Sequence, residues 1–377
     1  MSAIYKKLEE VCEILDSRRV PITAKNRKTG IYPYYGANGL QDYVAEYIFD
    51  DELVLLAEDG GNFGSKERPI AYRVSGKCWV NNHAHVLKAK PLVNADYLCY
   101  ALMFYDTEGL VNGATRQKLT QTAMRQMMIP YRNMTEQLQI ADEINQVIRL
   151  IDKRKEELSL LDQLVKSRFI EMFGDPEKNP FGWDMSTIGV LISSCEAGWS
   201  GNGSQREKKD GEIAVLKVSA VTKGYFIPDE CKVLNDQSNI KKYVFPQEGD
   251  LLFSRANTRE MVGATAVITQ NYPEYILPDK LWRIRFVDAT NVWYMKYILS
   301  SKSIRAIFAS VSTGTSGSMF NVSMEKFKSI AVPLPPLELQ EQFAVFVTQT
   351  DKSKLAVEKS LKHLEILKKS LMQQCFG

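Results

Sequence analysis

The sequence predicts an α+β protein in which two globular domains of mixed short strands and helices each lead into a long helix. Residues 133–173 carry an apolar seam of helical periodicity, and a similar stretch recurs at residues 337–375. Ahead of each stretch, short strand patterns alternate with short helix patterns, as is typical of α+β domains. A chain of 377 residues is long enough for two domains or more.

The composition is that of an ordinary folded protein, with 45% hydrophobic and 25% charged residues. A net charge of +3 permits an acidic partner such as nucleic acid without demanding one, because local clustering matters more than the total. No apolar run approaches the roughly 18 residues of a transmembrane helix, and early acidic residues argue against a signal peptide. The six cysteines form no CxxC pair, so we expect free thiols in a cytoplasmic protein.

The first globular segment is predicted from alternating apolar runs and polar, glycine-rich stretches. Its predicted elements are a short amphipathic helix ending near Leu15, a turn-rich segment at Ile31–Val44, strands at Asp51–Ala57, Ala71–Val74 and Trp79–Leu87, a helix at Tyr97–Phe104, a polar loop at Gly113–Thr120 and a strand at Met127–Pro130.

The first long helix is predicted at Asn133–Phe173. Asn133 and Glu136 have the spacing of an N-cap and its capping-box partner, and Gly174 with Pro176 provides the stop signal. At 1.5 Å per residue the helix would be roughly 60 Å long, which is typical of a spacer or of half a coiled coil. Its seam consists of apolar residues at alternating steps of three and four, once Arg154 is passed over: Ile140, Ile144, Val147, Ile151, Leu158, Leu161 and Val165.

The same order of elements is predicted again after this helix. Residues 183–192 resemble residues 5–14. The elements that follow are strands at Gly211–Val218, Tyr225–Val233, Glu248–Arg255 and Trp282–Phe286, a helix at Val292–Leu299, a loop of small residues at Thr313–Ser318, a strand at Ile330–Pro333 and the second long helix at Leu337–Cys375.

A constant offset of 203 positions relates the two long helices and the strands that precede them. The match is ungapped over about 45 residues, and internal repeats constrain architecture more than any local pattern. Matching pairs include Pro130 and Pro333, Gln137 and Gln340, Ala141 and Ala344, Leu158 and Leu361, and Phe173 and Phe376. The helices have stayed alike while the globular segments have diverged.

The starts and ends of the two helices also form a pattern typical of one protein family. Its residues are Ile129 and Pro130 with Glu136 and Gln137, Val332–Leu337 with Glu341 and Gln342, and the ends at Phe173–Pro176 and Phe376–Gly377. With the two seams, this pattern resembles the specificity (S) subunit of Type I restriction-modification systems. The first copy departs from the family's proline-rich helix start, because Arg132 and Asn133 replace the prolines.

The resemblance implies two target-recognition domains, residues 1–133 and 177–335, each followed by a conserved spacer helix, residues 134–176 and 336–377. The helices would pair as an antiparallel coiled coil. The S subunit binds a bipartite, asymmetric site in double-stranded DNA, one half per domain. Two methylation (M) subunits carrying S-adenosylmethionine would dock on it to methylate adenine, and restriction (R) subunits using ATP and Mg²⁺ would complete the complex. The chain itself would be non-catalytic and hold no cofactor.

The residues agree with a non-catalytic chain. The run at Asn179–Phe181 lacks the second proline of the amino-methyltransferase motif, and the sequence contains no GxxxxGK[ST] phosphate loop. His83 and His85 would share one face of a strand as a possible metal pair, but no third ligand stands out, so no metal site is predicted.

Candidate DNA contacts are loop residues with cationic, amide and hydroxyl groups, because such groups pair with base edges and hold phosphates. In the first domain they are Tyr35, Asn38, Asn62, Lys66, Arg68, Asn82, His83, Arg116, Gln117 and Lys118. In the second domain they are Lys217, Ser219, Ser254, Arg255, Asn257, Arg259, Lys280, Thr315 and Ser316. The loop at 254–259 is the strongest candidate, because two arginines flank an amide directly after a buried strand. The alternative interpretation is a scaffold of duplicated domains on a helical hairpin that does not read DNA.

Overall fold

The structure, a computed structural model, describes residues 4–113, 115–314 and 319–377. Contacts divide the chain into two units, Met1–Lys155 with Lys359–Gly377, and Glu156–Glu358. Both units mix helices and strands. Within the described residues, no helix is long and apolar enough to cross a membrane. All six cysteines are free thiols, as predicted.

The first unit is built on a six-stranded sheet. The strands of the whole unit are β1 (Ile4–Lys7), β2 (Cys12–Ile14), β3 (Thr29–Gly36), β4 (Gly39–Val44), β5 (Phe49–Ala57), β6 (Ala71–Val80), β7 (Ala84–Ala89), β8 (Val111–Asn112), β9 (Lys118–Leu119) and β10 (Met128–Tyr131). Its helices are α1 (Leu8–Val11), α2 (Ala95–Met103), α3 (Gln121–Arg125) and the start of α4 (Met134–Phe173). The sheet order is β2-β7-β5-β6-β3-β4, while β1 pairs with β10 and β8 with β9.

Three local predictions for this unit were wrong. The opening helix is a single turn between two strands, because β1 and β2 take their backbone hydrogen bonds from β10 and β7. The segment at Ile31–Val44 is a hairpin whose turn uses Gly39 at φ 109°. The strand predicted at Trp79–Leu87 is interrupted, because the Asn81 side chain accepts the N–H of His83 at 2.8 Å and turns the chain.

The second unit contains two four-stranded sheets, β12-β20-β16-β18 and β13-β15-β14-β19. Its strands are β11 (Met185–Thr187), β12 (Ile192–Ala197), β13 (Gly203–Ser204), β14 (Ala214–Leu216), β15 (Cys231–Leu234), β16 (Leu251–Ser254), β17 (Ala256–Asn257), β18 (Thr265–Val267), β19 (Tyr275–Ile276), β20 (Leu281–Phe286), β21 (Thr313–Gly314), β22 (Phe320–Asn321) and β23 (Ala331–Pro333). Its helices are α5 (Ile188–Leu191), α6 (Val292–Ser300), α7 (Lys302–Val311), α8 (Met324–Ser329) and the start of α9 (Leu337–Phe376). The sequence predicted neither α7 nor α8.

The two units repeat one plan. In each, a strand pairs antiparallel with the strand that leads into the unit's long helix: β1 with β10, and β11 with β23. One helical turn then leads into an edge strand, and the order β2-β7-β5 recurs as β12-β20-β16. Thr120 and Ser323, 203 positions apart, both cap the short helix ahead of that pairing strand. The duplication therefore extends into the globular parts.

The seams of the long helices are covered within each unit. In the first unit, Ile144 near the start of α4 belongs to the same apolar cluster as Met372 near the end of α9. In the second unit, Phe169 near the end of α4 lies edge-on to Phe343 near the start of α9, with ring centroids 5.4 Å apart. In each unit, then, the beginning of one helix contacts the end of the other.

Phe343 tests how much of the stability depends on this covered seam. It is fully buried and also contacts Phe173 and Tyr297 edge-on. Phe343→Ala is expected to lower the free energy of unfolding by about 3–5 kcal/mol, because it leaves a cavity among three rings. Urea unfolding measures the change. Val345→Ala on the exposed face of the same turn is the matched control, and equal effects of the two substitutions would contradict the packing described.

Candidate nucleic-acid interface

In the first unit, the loop that follows β5 holds an exposed arginine by a carboxylate. Arg116 donates from Nε to Oδ1 of Asp59 at 2.6 Å, and a terminal nitrogen lies 3.4 Å from Nδ1 of His83. The main chain is joined here too, because the N–H of Gly60 donates to the carbonyl of Gln117 at 3.1 Å. The structure thus brings together Arg116 and His83, two of the predicted residues, with their guanidinium and imidazole at the surface.

A second group of predicted residues lines a groove on the same unit. The groove lies between Asn38, Asn62 and Arg68, with Tyr72 in its wall. The side-chain amide of Asn38 donates to the carbonyl of Gly60 at 3.1 Å, which connects the groove to the loop after β5. Amide and guanidinium groups in a concave surface are suited to hydrogen bonding with base edges or phosphates.

The other predicted residues of the first domain have mixed surroundings. Lys66, Asn82 and Gln117 are exposed. Tyr35 is half-buried beside the ring of Tyr72, with centroids 5.9 Å apart, and burial raises the pKa of its hydroxyl. Nζ of Lys118 lies 3.1 Å from a carboxylate oxygen of Glu58.

Beneath this surface lies a buried charged network that the sequence analysis missed. His85 is fully buried, its Nδ1 is 2.6 Å from Oδ2 of Asp16, and its Nε2 is 2.9 Å from the carbonyl oxygen of Leu119. Both ring nitrogens therefore lie within hydrogen-bonding distance of an oxygen atom. The contact to Leu119 attaches the β8–β9 hairpin, which carries Arg116, to the main sheet.

Asp16, Glu58 and His85 have the spacing of a metal site, with ligand atoms within 4.8 Å of one another. Cationic side chains already occupy their carboxylates: Arg19 lies 2.6 Å from Glu58 and 3.4 Å from Asp16. The arrangement is therefore explained as an ion-paired support for the loop. His85 was the only part of it visible as a pattern, because Asp16 and Arg19 reach it from distant positions in the chain.

In the second unit, the strand β17 joins the predicted loop 254–259 to a hairpin. β17 pairs with β22, and β22 with β21, so Asn257 lies opposite Phe320, and Phe320 opposite Gly314. Nε of Arg255 donates to the carbonyl of Asp279 at 2.8 Å, and a terminal nitrogen lies 3.4 Å from its carboxylate. Asp279 in turn accepts a hydrogen bond from Ser200, which lies in the glycine-rich segment 198–203.

The remaining predicted residues of this domain divide into four sets. Arg259 is exposed and lies over the Phe320 ring, and the backbone of Lys280 accepts the N–H of Arg255 at 3.0 Å. The side chain of Ser254 is buried, where Asn257 donates to it at 3.4 Å. Lys217 and Ser219 lie beside the other sheet and both contact Glu230, at 2.8 and 2.6 Å. Thr315 and Ser316 lie outside the described residues.

Comparison with known proteins identifies the family. Residues 4–160 and 180–366 match the family described as Type I restriction modification DNA specificity domain. The chain belongs to this family. It is a specificity subunit of the Type I restriction-modification kind, and as such it is not itself an enzyme.

Relatives match over much of the chain. A putative type I restriction enzyme specificity subunit of Haemophilus influenzae is 26% identical over 386 residues, covering 98% of this chain and 94% of the relative. The EcoKI specificity subunit of Escherichia coli is 21% identical over 348 residues, covering 86% of this chain and 74% of the relative.

Solved structures share the fold. The S subunit of a Type I system from M. genitalium superposes with a TM-score of 0.61 at 13% identity, covering 100% of this chain and 99% of the other. A structure described as concerning complex assembly and conformational transition of a type I system gives 0.55 at 16% identity, covering 100% and 97%.

The buried network predicts acid sensitivity of the first recognition domain. Burial by itself would raise the pKa of Asp16, but the hydrogen bond and charge of His85, with Val86 N–H and Arg19, hold that pKa below its ordinary value. For the carboxyl of Glu58, Arg19, His85 and Lys118 likewise outweigh burial and lower the pKa. At acidic pH the unfolded chain therefore binds more protons than the folded one.

The charged carboxylates of Asp16 and Glu58 therefore stabilise the folded domain at pH values above their unfolded-state pKa of about 4. This stabilisation is lost as the pH falls through their lower folded-state pKa. Urea midpoints between pH 3 and 6, with β5 and β7 followed by pulsed hydrogen exchange, should fall toward acid. Asp16→Asn should flatten that fall, whereas Asp50→Asn, which removes an exposed carboxyl at the start of β5, should not. An unchanged slope in Asp16→Asn would contradict the network's role.

Proposed function

We propose that this specificity subunit reads a bipartite, asymmetric site in double-stranded DNA, with one half-site per globular domain. The observation that carries the proposal is a repeated arrangement. In both units, the loop after a central strand, β5 or β16, is joined to a hairpin. That hairpin precedes the short capped helix, α3 or α8, which in turn lies ahead of the long helix. In each unit an aspartate holds an arginine of this pair: Asp59 of the first loop holds Arg116, and Asp279, just before β20, holds Arg255.

The arginines are suited to reading guanine. Arg116 and Arg255 are each bound through Nε, to Asp59 and to Asp279. A guanidinium held by that edge is restrained in orientation, and its planar fork matches O6 and N7 of guanine in the major groove. We therefore infer that each half-site contains a guanine read by one of these arginines.

The other candidate residues would complete each half-site. Asn38, Asn62 and Arg68 would contact DNA from the groove, and Asn257 and Arg259 from the second loop. The amides suit adenine and the cations suit guanine or phosphate. The modest net charge of +3 fits a subunit that shares the contacts to DNA with partners rather than binding alone, because affinity for DNA grows with the number of phosphates neutralised.

The long helices are proposed to form an antiparallel coiled coil that sets the spacing of the half-sites. Supporting contacts occur in each unit, as between Arg132 and the carbonyl of Cys375 at 3.3 Å, and between Asp162 and Lys354 at 2.6 Å. Two domains on a stiff spacer bind together only when their half-sites have the matching separation, and joint binding multiplies affinity through effective concentration.

Partner subunits would supply the chemistry. We propose that two methylation subunits, carrying S-adenosylmethionine, dock on this chain and methylate adenine in each half-site. Restriction subunits using ATP and Mg²⁺ would join the same complex. The helices offer exposed apolar side chains for such docking, including Leu160 and Leu164 on α4 and Ile366 on α9.

Single arginine substitutions should separate the two half-sites. Arg116→Ala is expected to weaken discrimination at one base pair of one half-site by about 1–3 kcal/mol, and Arg255→Ala to do so only in the other half-site. Arg→Lys at either position should restore general affinity without base discrimination, since lysine lacks the planar fork. Selection from a random duplex library, with methylation subunits bound, measures both effects.

Arg206→Ala is the control for these variants, because Arg206 is exposed and paired with Glu212 in the second domain. It should leave both half-sites unchanged. Equal loss at both half-sites in Arg255→Ala would show that the assignment of loops to half-sites is wrong.

Lengthening both helices should lengthen the spacer of the preferred site. Seven residues inserted after Lys155 in α4 and after Glu358 in α9 keep the seam in register and add about 10 Å, or about three base pairs. The selected half-site sequences should stay the same while their separation grows. Retained binding with an unchanged spacer would exclude the helices as the determinant of spacing.

A further inference from the structure

Each long helix is tied to its own globular domain by one buried glutamine. Gln137 lies in the first turn of α4 and Gln340 in the first turn of α9, and both are fully buried. Gln139 and Gln342, two residues further along the same helices, are exposed. A buried carboxamide requires partners for its oxygen and its nitrogen, so these two positions call for an explanation.

In the first domain, the Gln137 side chain joins two segments of backbone. Its Oε1 accepts the N–H of Asn94 at 2.8 Å, and its Nε2 donates to the carbonyls of Leu92 at 3.1 Å and Arg132 at 2.8 Å. Asn94 is the N-cap of α2, and its side chain accepts the N–H of Tyr97. One carboxamide therefore connects the segment that enters α2 with the segment that enters α4.

The second domain repeats this arrangement. Oε1 of Gln340 accepts the N–H of Asn291 at 2.9 Å, and Nε2 donates to the carbonyls of Pro335 at 2.8 Å and Ala289 at 3.4 Å. Asn291 is the N-cap of α6. In both domains, one accepting carbonyl belongs to the residue five positions before the glutamine, Arg132 or Pro335. The second accepting carbonyl belongs to the residue two positions before the asparagine, Leu92 or Ala289.

A tyrosine adds a second repeated connection at each joint. The hydroxyl of Tyr97 in α2 donates to the carbonyl of Pro130 at 2.8 Å, and that of Tyr294 in α6 to Pro333 at 2.6 Å. Each bond holds the short helix against the strand that leads into the long helix. The loops with the candidate DNA contacts differ between the domains, whereas these joints are the same, so their role is common to both half-sites.

We propose that Gln137 and Gln340 are positioning residues that hold each recognition domain rigidly on its spacer helix and thereby sharpen discrimination of spacer length. This proposal rests on the proposed reading of a bipartite site. Hydrogen bonds weaken steeply when their angles change, so bonds to two backbone segments resist rocking of the domain. A displacement of the recognition domain by a few ångströms at the DNA would correspond to about one base pair of spacer length, because successive bases are about 3.4 Å apart.

The test uses the intact subunit with its methylation subunits bound and a duplex library in which the selected half-sites are separated by spacers of every length. Gln137→Ala, Gln340→Ala and the double variant should keep the half-site sequences. The affinity for a site with the preferred spacer, divided by that for a site whose spacer is one base pair longer, should fall about tenfold. A change of this size is expected when the hydrogen bonds of one buried group are lost. The matched controls Gln139→Ala and Gln342→Ala should keep the unaltered profile.

A lower melting temperature with an unchanged spacer profile would overturn the proposal, because it would show a purely structural role. A wild-type complex with no preference for a bipartite site would instead overturn the proposed function, and the two failures are distinguishable. If the alanine variants do not assemble, Tyr97→Phe and Tyr294→Phe each remove one bond of the same joint without leaving a cavity. A sharp, unaltered profile in both would equally overturn the proposal.

Discussion

The constraint on which this protein depends is that a 40-residue helix with an apolar seam cannot remain exposed in water. α4 and α9 are both 40 residues long, and an isolated amphipathic helix gains most of its stability by covering its apolar face. In each unit the seam is covered jointly by the other long helix and by side chains of the globular part. In the second unit, Phe169 and Phe173 contact both Tyr294 of α6 and Phe343 of α9.

A duplicated gene product must keep what both copies need and can change the rest. The shared parts are the seam, the pairing of the first strand with the strand before the long helix, and the buried glutamine and tyrosine at the joint. The divergent parts are the loops that support Arg116 and Arg255. The first is supported by a buried histidine network, whereas in the second domain the strand after Asp279 carries Trp282, stacked on Phe253. Different supports for different loops are expected if each domain reads its own half-site.

How far the site could be predicted depended on whether its residues share a local pattern. The loop 254–259 follows a buried strand, so its position at the surface was visible in the sequence. The role of Asp279 as the residue that holds Arg255 was not visible, because it is 24 positions away and meets the arginine only through β16–β20 pairing. The same holds for Asp16, which is 69 positions from His85.

By itself the sequence determined the two long helices and their duplication, because helical periodicity and a constant offset can be read along the chain without the tertiary structure. Local propensity failed at the N-terminus, where the predicted helix became strands paired with β10 and β7. Only the tertiary structure decided which polar side chains lie at the surface and which are buried in hydrogen bonds and ion pairs beneath it. The reason is that hydrogen bonding between distant segments, rather than residue type, assigns each polar group its partner.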